Sequence, residues 1–356
     1  NMVVAPFLGV VAVPFALLAQ ILPEPLNGGC LVVADAAVAV AVFLLSMLQV
    51  PVWKPATGLL GVITLFIILS FRRRETWVLF SLILFFCIFP RRKDGFRVVF
   101  LPIGQGDAAL VEWSDGRTWL IDAGPPSRSL LRYLRRRGIQ KLERVFLSHP
   151  HRDHMGGLDS LVGELDIERF WSPRPPIAGE LEYRRLWSRM IKQGTQMQSK
   201  QKLSESNIRL LHPLNGWSGG GKDAVNEQSL VLELQHGDHR FLFTGDVGQH
   251  AESLLVKEER LFQGYDVVKV AHHGSRYSSS DAFIKRVQAE YAVISCGVKN
   301  RFGHPHTATL WRWRKSRILR SDQQGLIEFE SDGKILRART WNWESGWKSL
   351  PRNRKE

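Results

Sequence analysis

A cluster of metal-capable side chains occupies one short segment, residues 148–157, with the sequence Ser-His-Pro-His-Arg-Asp-His-Met-Gly-Gly. The residues before it are mostly apolar and predict a strand, and a short helix is predicted after it. His149 and His151 alternate, so both can face one metal ion, while Asp153 and His154 can face a second. Imidazole and carboxylate ligands suit Zn²⁺, Mn²⁺ or Fe. The segment therefore predicts a metal centre at a strand end; the alternative is a histidine-rich surface loop.

The first 96 residues differ from the rest in hydropathy. Val3–Leu22 and Leu31–Val50 match the roughly 20 apolar residues that a membrane-spanning helix needs. Thr57–Phe71 and Thr76–Pro90 are shorter, which predicts tilted spans, short spans or a re-entrant hairpin. A cleaved signal peptide is disfavoured, because several apolar runs follow one another and no basic segment precedes the first. The sequence begins with Asn1, and we expect it to be the C-terminal part of a longer polytopic protein.

Composition narrows the class of protein further. With 44% hydrophobic and 23% charged residues, a disordered or fibrous protein is excluded. The formal net charge is +14, and most of the basic excess follows residue 96. The three cysteines show no CxxC or Cys/His spacing, so neither a disulfide framework nor a structural zinc finger is indicated. The chain is therefore predicted to join a membrane segment to a basic globular domain.

Residues 97–340 alternate between predicted strands and helices. Strands are predicted over Arg97–Ile103, Ala108–Trp113, Arg117–Ile121, 144–147, Ile208–Leu211, Ser229–Leu234, Arg240–Phe243, Asp266–Val270 and Tyr291–Ser295. Helices are predicted over Ser127–Arg137, Gly156–Gly163, Glu180–Ile191, Val247–Glu259, Asp281–Val287 and Thr307–Arg317. Strands that first pair locally and then alternate with helices indicate an α/β domain with mixed sheets between helical layers.

Four further motifs surround the histidine segment: Gly-Gln-Gly-Asp at 104–107, Leu-Ile-Asp-Ala-Gly at 120–124, Phe-Thr-Gly-Asp at 243–246 and His-His-Gly-Ser at 272–275. Together with His-x-His-x-Asp-His, they resemble the metallo-β-lactamase superfamily and, more closely, the ComEC family, the bacterial DNA-internalisation channel proteins of natural competence. Phosphorylcholine esterases and other phosphodiesterases share two of these motifs.

The resemblance implies a fold and a domain order. The fold would be an αββα metallo-β-lactamase sandwich preceded by transmembrane α-helices. Residues 1–96 would be transmembrane helices at the end of a competence channel domain, 97–340 the hydrolase domain, and 341–356 a basic C-terminal tail.

The resemblance also implies two divalent metal ions, Mn²⁺ or Zn²⁺, and the residues that hold them. The ligands would be His149, His151, Asp153, His154, Asp246 and His273. Asp246 would bridge the two metals, although by itself it reads as an N-cap before a helix. The catalytic set would be Asp153, Asp246 and His272, with His272 contacting a phosphate oxygen or leaving group. The reverse assignment of His272 and His273 is the alternative.

Two carboxylates are predicted to lie behind the ligands. By the resemblance, Asp122 would orient a metal-bound histidine; the alternative is a plain turn carboxylate. Asp107 would line the floor of the site or hold its own loop.

The sequence departs from the wider superfamily at one ligand. Many members place another histidine before the bridging Asp, where this chain offers His212 and Asn226. Asn226 matches the channel family, is a weaker ligand than histidine and favours a hard ion such as Mn²⁺. His212 is predicted to be structural. His304 and His306 are predicted as late ligands or substrate contacts, or as a loop entering a helix.

Aromatic and basic residues alternate late in the chain. Trp311, Arg312, Trp313, Arg314 and Lys315 are predicted to bind DNA, because cations neutralise phosphates and tryptophan stacks on unpaired bases. Arg132 and 135–137 form a second basic patch on a helix. Solvated helix faces or contacts with anionic lipid are the alternatives.

The predicted function is that of a metal-dependent phosphodiesterase in a membrane DNA-uptake channel, degrading the strand that is not imported. A small-phosphodiester or phosphorylcholine esterase and a catalytically weak DNA-binding gating module are the alternatives. Non-specific, single-stranded DNA, membrane lipid and other DNA-uptake proteins are the expected partners, and the oligomeric state is left open. The resemblance places the hydrolase outside the bacterial cytoplasmic membrane, while the arginine clusters at 72–74 and 91–93 give no orientation.

Overall fold

Two β-sheets form the centre of the part of the chain that the computed structural model describes, residues 95–198, 207–213, 223–342 and 345–351. The strands are β1 (Phe96–Phe100), β2 (Ala109–Glu112), β3 (Thr118–Ile121), β4 (Lys141–Phe146), β5 (Asp166–Trp171), β6 (Gln196–Gln198), β7 (Ile208–His212), β8 (Val231–His236), β9 (His239–Phe243), β10 (Val267–Lys269), β11 (Tyr291–Ile294), β12 (Arg317–Arg320), β13 (Leu326–Ser331), β14 (Leu336–Asn342) and β15 (Gly346–Ser349). One sheet has nine strands in the order β15-β14-β13-β1-β2-β3-β4-β5-β6, and the other has six in the order β12-β11-β10-β9-β8-β7.

Short helices accompany the strands. They are α1 (Ser129–Arg136), α2 (Arg152–Met155), α3 (Leu181–Lys192), α4 (Ala224–Glu227), α5 (Gln249–Lys257), α6 (Asp281–Val287), α7 (Thr307–Arg312) and α8 (Ser321–Gln324), with 3₁₀ turns at Gly156–Ser160, Ala271–Gly274 and Trp313–Lys315. Among the described residues, none of these helices has the length and hydropathy of a membrane span. The four apolar runs predicted as membrane helices lie outside the residues described.

Side-chain alternation along the strands builds three apolar layers. In β1, Val98 faces the core between the two sheets, whereas Val99 faces the layer under α1 and α3. In β9, Phe241 likewise faces the core between the sheets, while Leu242 faces α5 and α6. Because both faces of each sheet are covered, the central strands are apolar on both sides. The arrangement is the predicted αββα sandwich, with helices on the two outer faces.

The structure differs from the predicted elements in several places, of which three bear on the fold. β5 was not predicted, because its apolar residues are interrupted by Glu168 and Arg169, which form ion pairs at the sheet surface. The predicted helix over Thr307–Arg317 ends at Arg312, and β12 begins at Arg317. The segment assigned to the tail contributes the end of β14 and the strand β15, which pair with each other as an edge of the larger sheet.

Candidate metal centre

The predicted site residues meet where four strands end. Asp122 follows β3, the histidine segment follows β4, Asp246 lies just beyond β9, and His272 lies just beyond β10. β3 is parallel to β4 in one sheet, and β9 is parallel to β10 in the other. Because parallel strands end at the same edge, their following loops leave the sheets side by side, as at ligand sites of other α/β sheets. The fold therefore gathers residues that are far apart in the sequence.

The innermost group is one carboxylate between two imidazoles. Asp246 Oδ2 lies 3.3 Å from His154 Nε2 and 3.4 Å from His273 Nε2. His273 Nε2 also lies 3.3 Å from Asp153 Oδ2. Asp246, His154 and His273 are buried, whereas Asp153 is half-buried. Four of the predicted ligands thus face one another, and the group reaches solvent at Asp153.

Four donor atoms at the centre, from Asp246, the two imidazoles and Asp107, lie close enough together to bind a divalent cation. One ligand atom from each of Asp107, His154, Asp246 and His273 lies within 4.8 Å of the others. Three buried atoms, His154 Nε2, His273 Nε2 and Asp246 Oδ1, make no hydrogen bond to any residue the structure describes. Such atoms are costly to bury unless something else binds them. Imidazole and carboxylate donors are the set that Zn²⁺ and Mn²⁺ accept, so these residues fit the metal that the motifs imply.

Asp122 fixes the orientation of His154. Its Oδ2 lies 2.8 Å from His154 Nδ1 and accepts the Ser148 hydroxyl at 2.7 Å, while its Oδ1 accepts the Ser148 main-chain N–H at 2.7 Å. Since Nδ1 is engaged, Nε2 is the ring atom that remains for a metal. Asp122 has a φ of 54°, a region that non-glycine residues rarely adopt. The structure thus places Asp122 in contact with one of the predicted ligands.

His149 and His151 form a separate pair beside the inner group. His149 Nε2 and His151 Nδ1 lie 3.0 Å apart, and the His149 ring centroid lies 4.1 Å from that of His154. The hydroxyls of Ser148 and Ser229 lie 3.0 and 3.3 Å from His149 Nδ1, which turns Nε2 toward His151. His149 and His151 therefore lie next to the inner group, and their role as ligands of a second metal ion stays a prediction.

The two candidates for a further ligand have different surroundings. Asn226 lies in α4, is buried, and its Oδ1 has no hydrogen-bond partner among the described residues. His212 Nε2 lies 2.7 Å from the main-chain carbonyl of Glu227 and ties the end of β7 to α4. His212 therefore has a structural contact of the kind predicted for it, and the ligand role of Asn226 stays a prediction.

His272 and His273 lie in a tight turn with left-handed backbone. Their φ angles are 49° and 53°, which non-glycine residues hold only where surrounding contacts enforce them. His273 Nδ1 donates to the Ser295 carbonyl at 3.0 Å, which directs its Nε2 to Asp246. His272 is 26% exposed, and its Nε2 lies 3.9 Å from Asp246 Oδ2. The turn sends one imidazole into the inner group and holds the other at its solvent side.

His304 and His306 are placed differently from each other. The His304 ring centroid lies 5.7 Å from that of His272. Burial, with the positive charge of the neighbouring imidazoles, lowers the pKa of His304 to about 4. His306 is the N-cap of α7, where its Nδ1 accepts the Ala308 N–H at 3.2 Å. His304 thus faces the centre, whereas His306 has the helix-entry position that was the alternative.

The carboxylates of the inner group raise the pKa of its two imidazoles. Burial would lower the pKa of His154, but Asp246 and Asp122 raise it to about 10. Burial is likewise opposed at His273, where Asp246 and Asp107 raise the pKa well above its usual value. Burial would raise the pKa of Asp246, but the two charged imidazoles hold it well below its usual value. Because metals bind unprotonated imidazole, metal binding at this group should release protons.

Lys269 lies among the carboxylates of the site, and no motif in the sequence indicated it. It is the buried last residue of β10, its Nζ contacts Asp107 Oδ2, and it lies 3.6 Å from Asp246 Oδ1. Burial would lower the pKa of Lys269, but Asp107 and Asp246 raise it. Burial would raise the pKa of Asp107, but Lys269 and then His273 bring it below its usual value. The available signal was a lysine inside an otherwise apolar strand, because a buried charge requires a partner.

The predicted DNA-binding segment 311–315 is only partly exposed. Trp311 is 60% exposed, and the guanidinium carbon of Arg314 lies 3.7 Å from its ring centroid. Lys315 is exposed as well, whereas Arg312 donates to the Ser278 carbonyl at 2.9 Å. Trp313 is fully buried in the core beside α5 and α6, so the prediction that it stacks on bases is wrong. Trp311 lies in the last turn of α7, and Trp313 begins the 3₁₀ turn after it. Side chains two residues apart in a helix point in nearly opposite directions, so the two tryptophans do not share a face.

Comparisons with known proteins agree with the motifs. The family model described as "Metallo-beta-lactamase superfamily" matches residues 101–298. ComE operon protein 3 of Bacillus subtilis (strain 168) is 27% identical over 278 residues, 70% of this chain and 34% of that protein. Competence protein ComA of Neisseria gonorrhoeae is 28% identical over 235 residues, 64% of this chain and 31% of that protein. The resemblance to competence proteins is therefore confirmed.

Solved structures include similar chains. The metallo-beta-lactamase fold protein YhfI from Bacillus subtilis matches with a TM-score of 0.45 and 14% identity, over 65% of this chain and 99% of that one. The chain spans about a third of the length of the two curated relatives named above.

Proposed function

Because the chain belongs to the metallo-beta-lactamase superfamily, we propose that its metal centre hydrolyses DNA phosphodiester bonds. The observation that carries this proposal is Asp246, a buried carboxylate within 3.4 Å of two imidazole nitrogens at the meeting point of both sheets. A carboxylate in this position can bind a cation that both imidazoles hold. The resemblance implies that it would also contact a second cation, and paired metals suit in-line displacement at phosphorus. The net charge of +14 favours a polyanionic substrate over a neutral one.

The chain's own residues divide into holding and positioning groups. His149 and His151 would hold one metal ion, Asp153, His154 and His273 would hold the other, and Asp246 would contact both. Bound metal ions lower the pKa of water and stabilise charge that develops on phosphorus. Asp122 and the Ser295 carbonyl fix the rings of His154 and His273, so the nitrogens that face Asp246 are set before substrate arrives.

His272 is suited to the leaving-group side of the reaction. Burial, opposed by Asp246, lowers its pKa, so the imidazole is neutral at pH 7. Its Nε2 lies beside Asp246 but outside the inner group, and the ring is partly open to solvent. A neutral imidazole at this place can donate one hydrogen bond to a phosphate oxygen or to the departing sugar oxygen.

In the cell, the proposed role is to degrade the DNA strand that is not imported during natural transformation. The similarity to competence proteins supports this role. The apolar runs before residue 97 support an attachment to the bacterial cytoplasmic membrane. The outer face is proposed for the hydrolase domain on the resemblance to the competence channel family alone. Other DNA-uptake proteins and membrane lipid would then be its neighbours.

The test is cleavage by the purified full chain. The protein is stripped with a chelator and reloaded with Mn²⁺ or Zn²⁺, and is then offered single-stranded DNA, double-stranded DNA and a chromogenic phosphodiester. Asp246→Asn removes the shared carboxylate, and Asp238→Asn is the matched control, because Asp238 is exposed in the β8–β9 hairpin at the opposite end of β9. We expect metal-dependent DNA cleavage that Asp246→Asn abolishes and Asp238→Asn leaves intact.

Other outcomes would replace the proposal. Turnover of the chromogenic ester alone would identify a small-phosphodiester or phosphorylcholine-type esterase. DNA binding without turnover of any substrate, in protein shown to contain metal, would identify a DNA-binding gating module.

A further inference from the structure

Three exposed aromatic rings, each with an arginine near it, lie on the chain segments that follow His273 and His304 or flank His304. They are Tyr277 with Arg276, Phe302 with Arg301, and Trp311 with Arg314, and their guanidinium carbons lie 5.4, 4.9 and 3.7 Å from the ring centroids. The three rings come from segments that hold one another. The main-chain N–H of His306 donates to the Gly274 carbonyl at 2.9 Å, and the Thr309 hydroxyl donates to the Ser275 carbonyl at 2.9 Å.

Phe302 is the ring that connects these segments to the centre. Its side chain is 54% exposed, and it stacks on His304 with centroids 5.8 Å apart and planes at 24°. His304 in turn lies 5.7 Å from His272, centroid to centroid. Two ring contacts therefore lead from the exposed face of Phe302 to the imidazole beside Asp246.

The loop that carries Phe302 is held in place before any ligand arrives. Asn300 Nδ2 donates to the carbonyls of Gly297 and His304 at 3.0 and 2.6 Å. Asn300 Oδ1 accepts the main-chain N–H groups of Phe302 and His304 at 3.2 and 3.0 Å. Four hydrogen bonds from one side chain thus fix the main chain of the loop that presents the half-exposed Phe302 ring. A fixed ring loses little entropy when a partner stacks on it.

We propose that Phe302 is a stacking platform for a base of an unpaired DNA strand whose phosphate lies at the metal centre. The inference rests on the proposed function and deepens it by naming the form of the substrate. An exposed ring can stack on an unpaired base, whereas the bases of a duplex already stack on each other. Arg301 and Lys299 are exposed on the same loop and supply the positive charge that a phosphate backbone needs.

The test measures binding without cleavage. A fluorescent single-stranded oligonucleotide is titrated with the chelator-treated full chain, and so is an abasic strand of the same length. Phe302→Ala should weaken binding of the base-containing strand about tenfold, within the range of a lost base–aromatic stack. Binding of the abasic strand should not change, and Phe302→Trp should restore binding of the normal strand.

Phe262→Ala is the matched control. Phe262 is 39% exposed and has the guanidinium carbon of Arg240 3.9 Å from its ring centroid, but Arg240 lies at the opposite end of β9 from Asp246. We expect this variant to bind both strands as the unchanged protein does, and thermal melting of all three variants checks that they fold.

Three results would overturn the inference. If the unchanged protein binds the strand and Phe302→Ala binds it equally well, Phe302 is not a platform, and the proposed nuclease function stands. If Phe302→Ala loses the abasic strand to the same extent, the contact is with the backbone and not with a base. If the unchanged protein does not bind DNA, both the inference and the proposed substrate fail together.

Discussion

Lys269 provides a direct test of how buried positive and negative charges offset each other at the metal centre. Its ammonium group lies between Asp107 and Asp246, buried at the end of β10. Lys269→Met keeps the length and the apolar stem of the side chain and removes the charge. Two carboxylates then remain in the same buried space with no ammonium group beside them.

The expected loss of stability follows from this geometry. Opposite unit charges 3.6 Å apart, the Lys269–Asp246 distance, attract by about 5 kcal/mol at an effective dielectric constant of 20. Desolvation offsets part of this attraction, and breaking one partner of a buried pair costs about 3–5 kcal/mol. We therefore expect Lys269→Met to lower the free energy of unfolding of the metal-free protein by about 3–5 kcal/mol.

The assay is a double-mutant cycle measured by urea unfolding in the presence of a chelator. Asp107→Asn removes the carboxylate charge that contacts Lys269 directly, so the double variant should lose less than the sum of the single losses, by about 0.5–3 kcal/mol. Addition of Zn²⁺ supplies positive charge at the neighbouring ligands and should recover part of the loss in Lys269→Met. Strictly additive losses, or a Lys269→Met variant as stable as the unchanged protein, would refute the reasoning.

Further expectations concern the core, the glycines and pH. Trp313→Ala should lower the free energy of unfolding by about 3–5 kcal/mol, because the ring is fully buried, whereas Trp311→Ala should change it by less than about 0.5 kcal/mol in the same urea experiment. Gly106→Ala should lower the melting temperature clearly more than Gly104→Ala does. Both glycines have a positive φ, but a Cβ at Gly106 would overlap a main-chain oxygen of the histidine segment, whereas a Cβ at Gly104 would meet open space. Burial raises the pKa of Glu252 from 4.5 to about 7, so between these pH values the folded state binds a proton that the unfolded state does not. The contribution of Glu252 to the free energy of unfolding therefore falls as pH rises from 4.5 to about 7. In urea unfolding over this range, Glu252→Gln should lose less stability than the unchanged protein.

The sequence predicted the site better than it predicted the surface around it. The histidine segment, Asp122 and Asp246 each follow a run of apolar residues, so each could be assigned to a strand end from local pattern alone. A mixed sandwich brings distant loops together at the ends of its strands. The structure places the histidine segment, Asp122 and Asp246 at such ends. The local sequence pattern was sufficient to place these residues, because each of them follows its own run of apolar residues.

Contacts between distant segments could not be predicted in the same way. Lys269 and Asp107 are far apart in the sequence, and neither residue by itself indicates its partner. The prediction for Trp313 is wrong because tryptophan and arginine alternate in the sequence as if they shared one face. Trp311 lies in the last turn of α7, whereas Trp313 begins the 3₁₀ turn that follows, and its ring enters the core. Phe302 gave no signal, because its role depends on how Asn300 folds the loop onto His304.

Metal bound at the His/Asp centre is proposed to be responsible for DNA cleavage, and a metal titration can relate the two. Mn²⁺ or Zn²⁺ is added stepwise to the chelator-treated full chain, and bound metal and cleavage of a single-stranded oligonucleotide are measured on the same samples. We expect cleavage to rise with occupancy, to reach its maximum near two metal ions per chain, and to be absent from Asp246→Asn at the same total metal. A fully metal-loaded chain that leaves the DNA intact would contradict it.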